Sequence, residues 1–424
     1  MITKTKVYDS GLRLVVTKTD SKAVSLFIGV NTGSVNEDST NSGISHLIEH
    51  MVFKGTKNRT SQQINREFES LGAVSSAFTS PYVTAFHSQC IEENAAKCFE
   101  VLSDIVLNPT FDELELKRER KVIFEEIDMY EDDPGSVAYD KFICKFFEGT
   151  KMGNLLIGTK KVLKNLKPED LLSYMQKYYV APNMVVSVAG GVDFETAEKF
   201  VTQHFACHFK NKSKSWLLND DKKALVAPKS AFLGVKKDVN QANIIFGLPI
   251  CSIFNDDRMA YGVASFVFGG SMSSRLGERI RNKLGFVYTI HALPDFYDLG
   301  GVLSVSFATN NQNQSEAILA IKQEMDDLKT GGMTDDEFER AKTFYKSIII
   351  LSEENSLNIA RHNMINVLTF NEYKSIDARI DDVNKVTKSQ VNRIFADMFS
   401  SKSICGAVVS SEPDIKVFEP LISG

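Results

Sequence analysis

The sequence contains no CxxC pair, and its six cysteines (Cys90, Cys98, Cys144, Cys207, Cys251 and Cys405) are scattered. This spacing excludes a disulfide scaffold and a zinc ribbon, and it suits a reducing compartment. With 25 Gly and 10 Pro among 424 residues, collagen-like and low-complexity classes are excluded as well. No charge of one sign dominates: 54 acidic and 49 basic residues leave a net charge of -5. That balance gives no footprint for nucleic acid, so none is expected as a partner. No run of ~18 apolar residues occurs, so no membrane-spanning helix is expected. The opening residues, MITKTKVYDSGLRLVV, lack an apolar targeting core and a small-residue cleavage site. They lead directly into an alternation at Leu12, Leu14 and Val16 that reads as a strand. A cytoplasmic protein is the expectation.

What is present is an ordinary globular composition, 43% hydrophobic and 24% charged, on a chain long enough for more than one core. Strand patterns cover 12–17 and 25–30, and a helix begins near Gly43. A second helix starts at Thr60, where Gln63 completes a capping box and Gly72 supplies the stop. Strands are expected at 74–79 and 83–90, followed by long helices at 92–106 and 112–130. Helix 168–179 leads into strand 184–189. The polar, lysine-rich stretch 211–230 reads as an interdomain linker.

The second half echoes the first. Asp112-Glu113-Leu114-Glu115 and Asp336-Glu337-Phe338-Glu339 lie 224 residues apart. Helix 389–399 and strand 404–409 repeat the order of helix 168–179 and strand 184–189. The expected organisation is therefore α+β, with two similar domains at 1–212 and 231–424.

The sharpest chemical signal is His46-Leu47-Ile48-Glu49-His50. Residues four apart on a helix share a face, so His46 and His50 can present their imidazoles to one metal ion. Glu49 sits beside them, placed to take a proton from water. The order H-x-x-E-H is the inverted zincin motif. The bland reading is a pair of partly exposed histidines beside a glutamate. The flanking Ile44, Leu47, Ile48, Met51, Val52 and Phe53 argue against it, because they imply a largely buried helix. Burying two imidazoles and a carboxylate without a metal or full hydrogen bonding is unfavourable. A catalytic zinc needs a third protein ligand. Helix 112–130 offers Glu119, Glu125 and Glu126. Glu119 and Glu126 are two turns apart on one face, which suits one ligand and one orienting carboxylate, whereas Glu125 points about a quarter turn away.

These residues resemble the inverzincins of the pitrilysin and mitochondrial-processing-peptidase group. The resemblance runs through GISHLIEHMVFKGT, RERKVIFEEIDMYEDDP, GTKKVLKNLKPEDLLSYMQKYYVAPNMVVSVAG and SMSSRLGERIRNKLGFVYTI, essentially the whole chain. It implies a glutamate ligand 76 residues after the second histidine, which is Glu126, and a supporting glutamate seven earlier, Glu119. It implies that Arg281 and Tyr288, again seven apart, hold the substrate carbonyls near the metal. It implies a substrate-binding strand at Ser76-Ala77-Phe78-Thr79, where the family reads Asn-Ala-x-Thr and this chain has lost the Asn. Backbone pairing with a peptide survives that loss, since it uses main-chain groups. The family's frequent His-Pro near 150 is replaced by Gly149-Thr150-Lys151, which is no ligand.

The resemblance further implies two homologous α+β domains, each a mostly antiparallel sheet packed with helices. It implies one Zn²⁺ per chain, and a homodimer enclosing peptides or unfolded segments in a chamber. The expected activity is that of a zinc metalloendopeptidase. The rival readings are a non-catalytic subunit or a catalytic half that needs a different partner chain; both fit poorly with retention of the ligands and the Arg–Tyr pair. Among weaker signals, His204, Cys207 and His208 have helical metal-ligand spacing but no fourth ligand nearby. His87 alternates with Phe86 in a strand and reads as structural. Lys117-Arg118-Glu119-Arg120-Lys121 reads as a solvated helix face.

Overall fold

The computed structural model describes residues 1–205 and 228–422. Most of the linker segment, together with Cys207 and His208, lies outside the described residues. The chain divides into two compact units. Of the described residues, 1–127, 154–205 and 350–375 form the first, and 128–153, 228–349 and 376–422 the second.

The first unit is built on a six-stranded sheet. In chain order the elements of the first half of the chain are β1 (Ile2–Val7), β2 (Arg13–Lys18), β3 (Ala23–Val30), α1 (Ile44–Met51), α2 (Ser61–Ser70), β4 (Val74–Thr79), β5 (Thr84–Ile91) and α3 (Ala95–Leu107). Next come α4 (Glu113–Asp132), α5 (Pro134–Phe146), α6 (Lys160–Leu163), α7 (Pro168–Tyr178), β6 (Met184–Gly190) and α8 (Phe194–His204). The strand order is β1-β2-β6-β3-β5-β4, antiparallel except for β2 beside β6. The capping box at Thr60 and Gln63 forms as expected and opens α2.

The second half supplies β7 (Ala231–Lys236), β8 (Gln241–Ile250), α9 (Arg258–Phe268), β9 (Val287–Asp295), β10 (Gly301–Asn310), α10 (Gln314–Gly331) and α11 (Asp335–Ser352). It continues with α12 (Ser356–Phe370), α13 (Ile376–Lys385), α14 (Lys388–Met398), β11 (Cys405–Ser410) and α15 (Glu419–Ile422). Its sheet has the order β7-β11-β8-β10-β9, again antiparallel except for one pair, β7 beside β11. Both sheets are mostly antiparallel and helix-covered, the architecture expected.

β3 shows why each sheet needs cover on both faces. Val24, Leu26, Ile28 and Val30 face one core with α1 and α3, while Phe27 faces a second cluster with Ile359, Ala360 and Met364. Side chains alternate along a strand, so a fully apolar strand must be covered on both sides. The second cover is α12, a helix from the other half of the chain. Gly29 makes room for it, because a Cβ there would overlap the Met364 side chain. Arg13 fastens its end: Nη1 donates to Val367 O at 3.0 Å and Nη2 to Pro182 O at 2.9 Å. The second unit mirrors this device. There α5, from the first half, packs on β8 and β11, and Gly247 leaves space for the Phe142 ring.

The compact units therefore differ from the expected division at 1–212 and 231–424, because each half of the chain gives one helix to the other half's sheet. Cys90, Cys98, Cys144, Cys251 and Cys405 are free thiols. Among the described residues no helix is long and apolar enough to cross a membrane.

Candidate metal centre

α1 is two-sided. Ile44, Ser45, Leu47, Ile48 and Met51 are buried, whereas His46, Glu49 and His50 line the remaining face. Hydrophobic positions three and four apart force this split, and the polar triad falls together as a result. The helix is started from a distance. Gly43, at φ +88, has no side chain to cap it. The buried carboxylate of Glu37 accepts from Gly43 N at 2.6 Å and Ser45 N at 2.9 Å instead. Ser45 Oγ lies 2.9 Å from Tyr174 Oη, which is 2.8 Å from Thr32 Oγ1, so α1 is also tied to α7.

α4 supplies the carboxylates. Glu119 is buried, Glu126 is half-buried and Glu125 is exposed. Glu126 Oε2 lies 3.8 Å from His46 Nε2 and 3.7 Å from His50 Nε2. Among the described residues, His46, His50 and Glu126 are the group of potential ligands whose donor atoms all fall within 4.8 Å of one another. Tetrahedral coordination at about 2.1 Å puts ligand atoms roughly 3.4 Å apart, so these separations need to contract only slightly around zinc. Glu119 completes the arrangement: its Oε1 lies 2.9 Å from His50 Nδ1 and its Oε2 2.6 Å from Lys54 Nζ. Accepting from Nδ1–H leaves the lone pair of His50 on Nε2, the atom facing Glu126. His46 Nδ1 is buried without a hydrogen-bond partner among the described residues. Two imidazoles, a carboxylate and a second carboxylate behind one imidazole form a donor set that fits zinc.

The electrostatics favour a cation. Burial, then the neighbouring His50, pushes the His46 pKa down to about 4, so this ring is neutral at neutral pH. Burial also depresses His50, but the hydrogen bond and charge of Glu119 outweigh it and raise its pKa. The carboxylates that would hold a proton on His50 equally favour a metal cation in its place. Glu119 is raised by burial, but the bonds to His50 and Lys54 win and hold it below the usual carboxylate range. Glu49 goes the other way: burial raises it, only partly offset by a hydrogen bond from Thr79 Oγ1 to its Oε2 at 2.6 Å.

Two contributors escaped sequence reasoning. Lys54 lies one turn beyond His50. That spacing was the available signal. Thr79 was named only for its backbone, yet its hydroxyl holds Glu49. The segment Ser76, Ala77, Phe78 and Thr79 belongs to β4, an edge strand bonded on one side to β5. In the second unit, the Arg281 guanidinium carbon stands 5.5 Å from the ring centroid of Tyr288, which lies on the edge strand β9 and is 81% exposed. His87 stacks on Phe27 at 4.6 Å between centroids, and His204 meets the edge of Phe99 at 6.3 Å.

The donor set and the buried carboxylate behind it have the arrangement of a candidate metal centre of the inverted zincin type. Residues 14–160 match the profile of Insulinase (Peptidase family M16), and residues 165–345 that of the Peptidase M16 inactive domain. An uncharacterized zinc protease of Bacillus subtilis, YmxG, is 30% identical over 392 residues, covering 92% of this chain and 94% of its own length. An uncharacterized zinc protease of Rickettsia bellii is 30% identical over 393 residues, 91% of this chain and 92% of its own. Among solved structures, a protease from Helicobacter pylori superposes with a TM-score of 0.88 at 21% identity, covering 96% of this chain and 99% of that one. A peptidase M16 inactive domain from Pseudomonas fluorescens gives the same TM-score, 0.88, at 15% identity over 97% and 98%. The chain belongs to peptidase family M16.

The donor geometry predicts graded metal loss. Glu119→Gln should weaken zinc binding by about 10–100-fold, the usual effect of removing an orienting partner, and Glu126→Gln by more. Competition against a fluorescent chelator measures both, and unchanged affinity in Glu126→Gln would remove it from the ligand set.

Proposed function

We propose that the chain is a zinc-dependent metalloendopeptidase that holds one zinc ion on His46, His50 and Glu126. The observation carrying this reading is the convergence of those three donors, with Glu49 on the same face of α1. All three ligands lie in the first unit, consistent with a family in which the following domain is described as inactive. When bound, zinc supplies a Lewis acid for the scissile carbonyl and lowers the pKa of water towards neutrality. Glu49 accepts a proton from the attacking water as its oxygen bonds to the carbonyl carbon. It then delivers that proton to the amine nitrogen as the C–N bond breaks. Thr79 keeps the Glu49 carboxylate oriented through its 2.6 Å bond. Glu119 and Lys54 keep His50 in the tautomer that leaves Nε2 free. Arg281 and Tyr288 bind and polarise substrate carbonyls, a hydroxyl and a guanidinium being suited to a developing oxyanion.

Glu49→Gln should retain zinc and lose about 10²–10⁴ in turnover, because an amide cannot accept the proton. Near-normal hydrolysis by a metal-loaded Glu49→Gln protein excludes it as the base.

The substrate is an extended peptide or an unfolded segment. The free edge of β4 offers backbone donors and acceptors that only an extended chain can pair with. A disulfide-stabilised protein should therefore resist, while its reduced, unfolded form is cut. Equal rates for the two forms, followed by mass spectrometry, would count against strand pairing.

The working assembly is a homodimer in the cytoplasm, in which Arg281 and Tyr288 of one chain act on substrate held at the metal site of the other. Support comes from the placement of the metal ligands and the Arg–Tyr pair in different units and from resemblance to dimeric relatives. Mixing inactive Glu49→Gln with inactive Arg281→Ala/Tyr288→Phe should restore activity once subunits exchange. Random pairing makes half the dimers mixed, each with one intact site, so about a quarter of wild-type activity is expected if sites act independently. No recovery despite verified exchange means each site is built within one chain.

A further inference from the structure

β4 presents two different faces. Ala77 packs into the core beneath α1, and Thr79 reaches Glu49. Ser76 and Phe78 turn to the opposite face, opposite His87 and Ala85 of β5, where Phe78 packs against the cluster that includes α12. On that face stands Arg361 of α12, its guanidinium carbon 5.0 Å from the centroid of the Phe78 ring. Arg361 is exposed and has no ion-pair partner among the described residues. Burial and then Arg361 itself push the pKa of the nearby His87 down. A guanidinium held over a ring, without a carboxylate of its own, sits beside the edge where a peptide would add.

We propose that Arg361 and Phe78 form a side-chain subsite that selects an acidic residue in a peptide lying along β4. This rests on the peptidase reading of the same strand. An added strand runs about 4.8 Å from β4, and directly opposite residues project to the same face with Cβ atoms about 5 Å apart. The peptide residue opposite Phe78 therefore places its side chain against the ring, within reach of Arg361. The methylenes of a glutamate pack on the ring while its carboxylate meets the planar donor fork. Strand alternation confines the effect: peptide residues turned towards α1 do not meet Arg361. The pair is partly exposed, so the selectivity is modest, roughly three- to tenfold.

The test uses the zinc-loaded protein and one peptide series carrying Glu or Lys at each position around the cut bond. Hydrolysis is read as kcat/KM, and binding as fluorescence anisotropy on zinc-loaded Glu49→Gln. Glu should be preferred over Lys about three- to tenfold at one position, or at two positions two residues apart, and the ratio should shrink as salt rises. Arg361→Gln should abolish that ratio, and Arg361→Glu should invert it. Cleavage with the same Glu/Lys ratio in wild type and Arg361→Glu overturns the subsite and leaves the peptidase reading intact. Selective binding without any cleavage by the wild type supports the subsite and overturns the peptidase reading. Absence of both binding and cleavage overturns both.

Discussion

The centre depends on the burial of one carboxylate. Glu119 has only 8% of its side chain exposed. An ionised carboxylate so placed is costly unless it is paired and hydrogen-bonded. His50 and Lys54 supply both oxygens with partners, and both partners come from the C-terminal end of α1 and the turn after it. The pairing therefore fixes α4 against α1. Two turns further along α4, Glu126 is brought to the two imidazoles. One buried charge thus sets the inter-helix register, the His50 tautomer and the position of the third donor.

Much of this was legible because it is local. The H-x-x-E-H spacing needs only helical periodicity to bring His46, Glu49 and His50 to one face, and the seven-residue step does the same for Glu119 and Glu126. The capping box at Thr60 specified the start of α2 for the same reason. The interleaving of the halves was not legible. Nothing within α12 names the sheet it covers; the partner signals are Gly29 and Arg13, more than 300 residues away in the chain. Glu37 was invisible as a cap because it acts across a loop, outside the usual N-cap position. Choosing Glu126 over its neighbours took the family spacing, since periodicity alone left Glu119 equally eligible.

The two sheets also show how one topology serves two chemistries. β2, β6, β3, β5 and β4 correspond in order and direction to β7, β11, β8, β10 and β9, including the single parallel pair. β4 and β9 are therefore equivalent edges. Beside β4 the first unit carries Glu49 and the candidate metal donors, and on and beside β9 the second carries Tyr288 and Arg281. The same scaffold position holds a cation-binding set in one unit and a cationic, hydroxyl-bearing set in the other. Duplication kept the backbone and let the side chains at the edge diverge, and this explains why the repeat is faint residue by residue but consistent in order.

Thr79 shows why an edge strand suits the proposed hydrolysis of an extended chain. Its side chain fixes Glu49 on the α1 face, while the backbone of the same strand remains open along its outer edge. Base and substrate would then be referenced to a single rigid element, bonded to β5 along its length. Catalysis by positioned groups loses much of its effect when the reacting atoms are misplaced by about 1 Å. A base held from a separate loop would drift relative to the bound peptide whenever that loop moved. Anchoring both to β4 would make the distance between them a property of strand geometry, and it would leave the opposite face of the strand, with Phe78 and Arg361, to the proposed side-chain subsite.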